Sequence, residues 1–373
     1  MTQSDLTSTG NRVAITGGNG FLGWHTRCAL QETASSANPI AVGSAFDLAH
    51  AVSSLEGVDR LIHIAGVNRA SEEDVRAGNI LFAQQMADAL LRTEQPPQTV
   101  VYANSTQAGN GSVYGAAKAE AGHILAAAAG RVGADFVDVR LPNLFGEHGR
   151  PFYNAVTATF CHLLAEGAEP TVENDKELTL LHAQNAADLL TGAASIADQA
   201  ALEESEMVSG LLARLKSFAA TYSRGEIPDI SDAFDRDLFN TYRSYTFASS
   251  TPIRLTRHAD ARGSFFEIIR SHGGPEQSSF STTVPGISRG DHYHRRKVER
   301  FTVLAGTATI SLRRLFTDEV FDFEVTGDEP VAIDMPTGWA HKITNTGDGD
   351  LYTSFWTNDI FDPGNPDTIP EAV

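Results

Sequence analysis

Four residues in the last third of the chain have the types and spacing of a metal first shell. His292 and His294 stand two apart, so on a strand both side chains leave the same face and can grip one ion. Glu299 lies at an odd offset from both. It joins them only if Arg295-Arg296-Lys297 breaks the strand in a charged turn and a second strand starts near Val298. His341 follows a Pro336-Thr337-Gly338 turn and heads a further strand-like segment ending at Asn345. Three imidazoles and one carboxylate suit zinc or another divalent transition metal such as iron, nickel or manganese. The plainer reading is that these histidines only pack or hydrogen-bond, but four candidate ligands in register are more than packing needs.

A second set could move a hydride and a proton. Ser105 follows the apolar run Thr99-Val100-Val101-Tyr102-Ala103, and nine residues later Tyr114 opens Tyr114-Gly115-Ala116-Ala117-Lys118. On a helix, positions four apart share a face, so the Lys118 ammonium can lie near the Tyr114 phenol, where a positive charge favours phenolate and lowers the tyrosine pKa. Tyr114 then donates a proton to a carbonyl receiving hydride, with Ser105 hydrogen-bonding the same oxygen. This spacing alone is common. It becomes specific after the opening of the chain, where Val13-Ala14-Ile15 runs into Thr16-Gly17-Gly18-Asn19-Gly20-Phe21-Leu22-Gly23 and then a helical stretch, Trp24 to Gln31. Glycines at 17, 20 and 23 let backbone N–H groups of the turn, through Phe21 and Leu22, face a pyrophosphate at a helix N-terminus. Ala65-Gly66 closes another apolar strand with residues small enough for a nucleotide to approach. A glycine turn without a ligand is the simpler alternative. The strand Pro39–Val42 ends in Gly43-Ser44, and the first carboxylate is Asp47. The usual acceptor for the ribose 2′-hydroxyl of NADH is therefore missing, which favours NADPH.

The elements that position these groups follow from periodicity and composition. With 373 residues, two domains are the natural expectation. Strand and helix alternate up to the strand Phe136–Leu141, which calls for an α/β, doubly wound parallel sheet of Rossmann type. Helical segments over 153–166, 183–197 and 209–222 are expected to pack over its cleft. Helical character fades after Tyr245, and Ser249-Ser250-Thr251-Pro252 reads as a linker. Beyond it, β-branched and aromatic segments separated by glycine-rich turns predict a small all-β barrel. The domains are thus expected at 1–248 and 249–373.

The net charge of −19 and pI near 5.0 repel phosphate backbones and anionic membranes, so neither nucleic acid nor membrane insertion is expected. An anionic substrate must be met by local arginines. Cys28 and Cys161 give no disulfide framework. A polar start and no apolar run of ~20 residues predict a soluble, cytoplasmic protein.

Several motifs resemble known families. Gly286, His292-x-His294, Glu299 and Gly306 fit the first cupin motif, and Pro336, Gly338, His341 and Asn345 fit the second, although Pro330 stands where that motif opens with glycine. The turn at 17–23, Ser105 and the Tyr114/Lys118 pair resemble the extended, nucleotide-sugar branch of the short-chain dehydrogenase/reductases. Pro142-Asn143-Leu144-Phe145-Gly146 looks like the stretch with which that branch begins its substrate domain, so Asn143 and Arg150 could face a sugar nucleotide or, equally, Asn143 could cap the turn. Asp260-Ala261-Arg262-Gly263 and Arg289-Gly290-Asp291-His292 resemble the sugar-nucleotide 3,5-epimerase branch of the cupins, where the arginines bind the diphosphate and the histidine is the base. At His292 these likenesses conflict, because a metal-bound imidazole has no lone pair for a proton.

Over essentially the whole chain, TGGNGFLG, IAGVNR, NSTQA, YGAAK, PNLFG, ATFC, DARGSF, GDHYH and FDPGNPDT together resemble the CapF-type enzymes of capsular and O-antigen polysaccharide synthesis. The resemblance implies a homodimeric, bifunctional enzyme acting on a UDP-linked 4-keto-6-deoxy N-acetylhexosamine. A zinc-binding cupin domain would epimerise carbon 3, and a reductase domain would reduce carbon 4 with NADPH, on the route to N-acetyl-L-fucosamine. The alternatives are a single-function ketoreductase with a non-catalytic, dimerising cupin, or an NADP-sensing regulator.

Overall fold

The protein is described here by a computed structural model over residues 11–261 and 263–373, so Arg262 lies outside the described residues. It forms two compact units, one built from the chain up to Leu144 with Leu178–Ser205, the other from Phe145–Glu177 with Glu206–Val373.

In the first unit, β1 (Arg12–Thr16), α1 (Phe21–Glu32), β2 (Ser36–Ile40), α2 (Leu48–Leu55), β3 (Arg60–His63), α3 (Glu72–Leu90), β4 (Thr99–Ser105), α4 (Val113–Val132) and β5 (Asp135–Leu141) alternate as expected. All five strands are parallel, in the order β2-β1-β3-β4-β5. The strands are apolar runs because both faces are covered. Ala14, Leu61, Val100 and Tyr102 point to one face and meet Leu55, Met86, Leu90 and Leu125 of α2, α3 and α4. Their neighbours Val13, Ile15, Ile62, Val101 and Ala103 point to the other and meet Leu22 and Leu30 of α1 and Leu189 and Leu190 of the helix Ala183–Thr191. Strand order reverses between β1 and β3, which opens a crevice at their C-terminal ends. Ser112 caps α4, its hydroxyl accepting from the Gly115 N–H at 3.0 Å, and Gly133 in the left-handed region ends that helix.

The second unit holds two five-stranded antiparallel sheets. One runs in the order Gln277–Thr283, Leu351–Thr357, Glu299–Ala305, Val331–Met335, Ile253–Arg254. The other runs Val320–Thr326, Thr307–Arg314, Trp339–Asn345, Ser288–Tyr293, Ile369–Pro370. Phe301, Val303, Ile333 and Met335 of the first sheet share one core with Ala308, Ile310, Leu312, Trp339 and Ile343 of the second, the barrel expected from the sequence.

The compact units do not part at 248/249. Helices Val208–Tyr222 and Ala233–Ser250 belong with the barrel, and the latter takes in Ser249 and Ser250, the first half of the expected linker. Phe247 on that helix inserts into the barrel core, 4.6 Å from the Trp339 ring. A buried polar network completes the join. Arg300 donates to both Asp334 oxygens at 2.6 and 3.0 Å and to the Gly225 carbonyl at 2.7 Å, while the Tyr222 hydroxyl donates to Asp334 at 2.8 Å. Burial pushes the Asp334 carboxyl up, but the Arg300 guanidinium and the hydrogen bonds to Arg300 and Tyr222 outweigh it and hold it below the usual range. Strand onset was legible as composition; the helices that stay with the barrel were not, because that depends on side chains 100 residues apart.

Candidate active site and metal centre

The crevice of the first unit is shaped by its glycine turn. Gly20 starts α1, its N–H donating to the Gly17 carbonyl at 3.0 Å. A Cβ on Gly23 would stand 2.0 Å from that carbonyl oxygen, so only glycine lets α1 pack this close to the turn. No acidic residue lies in the first turn of α1, whose N-terminal amides remain suited to an anion. Leu22 is buried in the core, so it contributes backbone rather than side chain to the turn, and Phe21 lies edge-on to His25. Thr16, hydrogen-bonded to His63 Nδ1 at 2.8 Å, accepts from the Ile64 and Ala65 N–H groups at 3.2 and 3.3 Å. This ties the end of β1 to the Ala65-Gly66 turn after β3. From α3, the Asn79 amide donates to the Val67 and Val75 carbonyls at 2.7 Å each and accepts from Val67 N–H. Asn79 was missed in the sequence, though a lone amide in the buried stripe Val75, Asn79, Ala83, Met86, Leu90 is a readable signal.

Ser105 and Tyr114 come together at the end of β4 and the start of α4, with Lys118 one turn further along the helix. The Tyr114 phenol hydrogen-bonds the Ser105 hydroxyl. Ser105 is fixed by Asn104, whose Oδ1 accepts from the Ser105 N–H at 2.8 Å and whose Nδ2 donates to Asp138 at 2.7 Å. The expectation of a depressed tyrosine pKa is overturned. Lys118 turns inward, donating to the Ala103 carbonyl at 2.6 Å, 4.3 Å from the centre of the Tyr102 ring. Burial pushes the Tyr114 phenol up, and the Ser105 hydrogen bond only partly offsets that. Burial also lowers Lys118 to about 7, against the pull of Asp138. A phenol that stays protonated, beside a hydroxyl, is the form that can give a proton away.

At the end of β2 there is no acid for a ribose. Asp47 instead caps α2, accepting from the His50 N–H at 3.0 Å. Gln85 of α3 holds Gly43 by both backbone groups, accepting from its N–H at 2.7 Å and donating to its carbonyl at 3.0 Å. Asn143 donates to the Thr179 carbonyl at 3.1 Å, a strand-edge contact.

In the second unit His292, His294, Glu299 and His341 converge, each offering a ligand atom within 4.8 Å of the others. Arg295-Arg296-Lys297 does break the strand, and Glu299 opens the next one. The tripeptide is not a solvated charged turn, however, since Arg295 and Lys297 are buried. Gly290 allows the ligand strands to meet. A Cβ there would lie 2.5 Å from the His341 carbonyl oxygen, and its φ of +117° suits glycine. Each of two imidazoles has its Nδ1 against a main-chain carbonyl, His294 with Asp367 at 2.5 Å and His341 with Trp339 at 3.2 Å. Their Nε2 atoms both face Glu299 Oε2, at 3.0 and 3.1 Å. Burial would raise the Glu299 carboxyl, but His294 and His341 hold it well below the carboxylate range. His292 is lowered to about 4 by burial and by the two other imidazoles. Nitrogen and oxygen donors of this kind, oriented by outer carbonyls, fit a divalent transition metal.

Arg289 on the same strand as His292 is exposed and donates to the Thr283 hydroxyl and the Thr282 carbonyl at 3.1 and 3.2 Å. Arg150 is exposed, its guanidinium 4.9 Å from the Tyr153 ring centre. Both cysteines are buried thiols, and no described helix is long and apolar enough to cross a membrane.

Comparisons with known proteins match two consecutive stretches of the chain. Residues 13–201 match the NAD dependent epimerase/dehydratase family, and residues 258–369 match the polysaccharide biosynthesis C-terminal domain. The UDP-2-acetamido-2,6-beta-L-arabino-hexul-4-ose reductase of Pseudomonas aeruginosa is 30% identical over 97% of this chain and 99% of its own. The spore coat polysaccharide biosynthesis protein SpsL of Bacillus subtilis is 29% identical over 31% of this chain and 82% of its own. The crystal structure of the capsular polysaccharide assembling protein CapF of Staphylococcus aureus superposes with a TM-score of 0.61 at 30% identity, covering 97% of this chain and all of that one. The chain is a member of the CapF-type family, an NAD dependent epimerase/dehydratase unit continued by a polysaccharide biosynthesis C-terminal domain.

Proposed function

We propose that this chain is a bifunctional nucleotide-sugar enzyme of capsule or O-antigen synthesis. Its substrate is a UDP-linked 4-keto-6-deoxy N-acetylhexosamine. The barrel epimerises carbon 3 and the first unit reduces the carbon-4 ketone with NADPH, giving UDP-2-acetamido-2,6-dideoxy-L-talose for the N-acetyl-L-fucosamine route. The observation that carries the reading is that two sites of different chemistry occur in one chain, Ser105-Tyr114-Lys118 in one unit and the His/Glu cluster in the other.

Elementary chemistry orders the two steps. The proton on carbon 3 is acidic only while carbon 4 is a ketone, since the ketone delocalises the carbanion as an enolate, so epimerisation comes first. His292, His294, Glu299 and His341 would hold zinc or another divalent transition metal, which supplies Lewis acidity toward an oxygen that gains negative charge. Arg289 and Arg262 would meet the diphosphate, and Asn143 and Arg150 the sugar nucleotide. In the first unit the turn at Gly17, Gly20, Phe21, Leu22 and Gly23, with Ala65-Gly66, would hold the dinucleotide. Ser105 orients the ketone, Tyr114 releases its proton to the nascent alkoxide, and Lys118 restores the charge balance around the phenol. The lack of an acid at the end of β2 supports NADPH. The working form is a homodimer in the cytoplasm.

The test is the UDP-keto sugar in heavy water with NADPH, followed by NMR and by absorbance. Tyr114→Phe is expected to keep deuterium incorporation at the sugar and to lose NADPH oxidation by about 10²–10⁴-fold. Equal loss of both activities would defeat the two-site assignment.

A further inference from the structure

The stretch from His292 to Glu299 carries three of the four converging side chains, yet little of it is held by its own neighbours. As the chain leaves one sheet for the other, the N–H groups of Arg295, Arg296 and Lys297 have no strand to pair with. One buried carboxylate takes all three: Asp367 accepts from Arg295 N–H at 3.0 Å through Oδ1, and from Arg296 and Lys297 N–H at 2.9 Å each through Oδ2. The carbonyl of the same residue meets His294 Nδ1 at 2.5 Å, and its backbone sits at φ +43°. Around it, Arg296 donates to Asn365 Oδ1 at 3.2 Å and Lys297 Nζ to the Pro366 carbonyl. Ile369 and Pro370 pair with Tyr293 and His292, and Glu371 N–H donates to the Asp291 carbonyl at 3.0 Å. A single C-terminal segment therefore fixes both the turn and the ring orientation of His294.

Physical reasons make Asp367 the centre of this brace. Three orphaned amides in a dry turn are costly unless an acceptor reaches them, and an ionised carboxylate is the strongest single acceptor available. A carbonyl at Nδ1 selects the tautomer whose Nε2 lone pair faces the cluster. We propose that Asp367 is the positioning residue of the His292/His294/Glu299/His341 centre, so that its metal affinity is set by a residue in the C-terminal segment, outside the ligand set. This rests on the metal reading of the cluster given above.

The experiment uses the full chain, stripped with chelator and titrated with Zn²⁺ against a chromophoric competitor, and with Co²⁺ for its visible bands. Wild type is expected to bind one Zn²⁺ per chain and His341→Ala to lose that binding. Asp367→Asn keeps the carbonyl but replaces one acceptor oxygen by an amino group facing N–H donors. It should bind Zn²⁺ 10–100-fold more weakly, with altered Co²⁺ bands. If wild type and His341→Ala take up metal alike, the metal reading fails. If His341→Ala loses the metal and Asp367→Asn binds within about twofold of wild type with an unchanged Co²⁺ spectrum, the metal reading stands and the role of Asp367 is overturned. Should the variant not fold, hydrogen exchange on wild type decides: the Arg295, Arg296 and Lys297 amides exchange slowly if the brace exists, and exchange at the rate of exposed amides refutes it.

Discussion

The two sites hide ionisable groups from water in opposite ways. In the first unit burial wins. Among the described residues Lys118 has a carbonyl, a ring face and the field of Asp138 to replace its hydration, and it falls to about 7, while the Tyr114 phenol rises. In the barrel, partners win. Glu299 is as deeply placed, yet two imidazoles keep it ionised, and its field with that of Asp367 raises His294 against burial. The contrast suits the two proposed tasks. A proton donor works best when its proton is retained until an alkoxide calls for it, whereas a metal centre, as proposed for the barrel, would need its carboxylate deprotonated in advance.

The sharpest way to break this comparison is to remove the carboxylate that organises the barrel. Glu299→Ala removes the carboxylate that the Nε2 atoms of His294 and His341 both face. Deuterium exchange at the sugar should fall by at least about 10²-fold, since an outer partner alone already accounts for 10–100-fold. NADPH oxidation with pre-epimerised keto sugar should stay within a few-fold of wild type, and its collapse would mean the sites are not separable. A second cut goes through the join of helices and barrel. Asp334→Ala strands Arg300, which is 1% exposed, with only the Gly225 carbonyl, and leaves Tyr222 without its acceptor. Loss of one partner of a buried pair costs about 3–5 kcal/mol. Urea unfolding should show that loss in the transition of the second unit. An unchanged midpoint would mean the pair contributes little.

How much could be read from the sequence follows the same division. Ser105 and Tyr114 lie at the end of one strand and the start of the next helix, so local spacing was enough to bring them together. The four candidate ligands of the barrel were readable from their spacing around two turns, although the strand ends at Tyr293 and His294 stands just past it. What escaped depends on contacts the chain makes with distant parts of itself. Asp367 was visible only as part of the FDPGNPDT resemblance, Arg295 and Lys297 only as a charged turn, and Tyr114 was assigned a low pKa because helical spacing says nothing of where a lysine turns. Asp334 and Tyr222 gave no signal, since a polar residue on a strand or helix reads as exposed until its partner is known.

Lys118 provides a finer test, on stability. Its folded pKa of about 7 lies below the ordinary 10.5, so the cost of burying its charge is full below pH 7 and fades as pH rises towards 10.5. Lys118→Met removes that cost. Relative to wild type the variant should therefore gain roughly 3 kcal/mol more at pH 6 than at pH 9. Paired denaturant titrations at the two pH values check this. A gain that is larger at pH 9 would show that Lys118 is held by its partners, as Glu299 is, and the contrast between the sites would dissolve.

The smallest effect concerns the far end of the cofactor crevice. Gly43 lies just past β2, where the ribose of a dinucleotide is expected, and Gln85 holds both its backbone groups, its carbonyl also accepting from the Phe46 N–H at 3.2 Å. Gln85→Leu keeps the side-chain bulk and deletes both bonds, each worth about 1 kcal/mol. Because Gln85 touches no group that changes charge during reduction, the loss should fall on cofactor binding alone. KM for NADPH should rise several-fold with kcat unchanged. A fall in kcat at saturating NADPH would place this loop in the reacting geometry, and would make the first unit as dependent on distant bracing as the barrel is on Asp367.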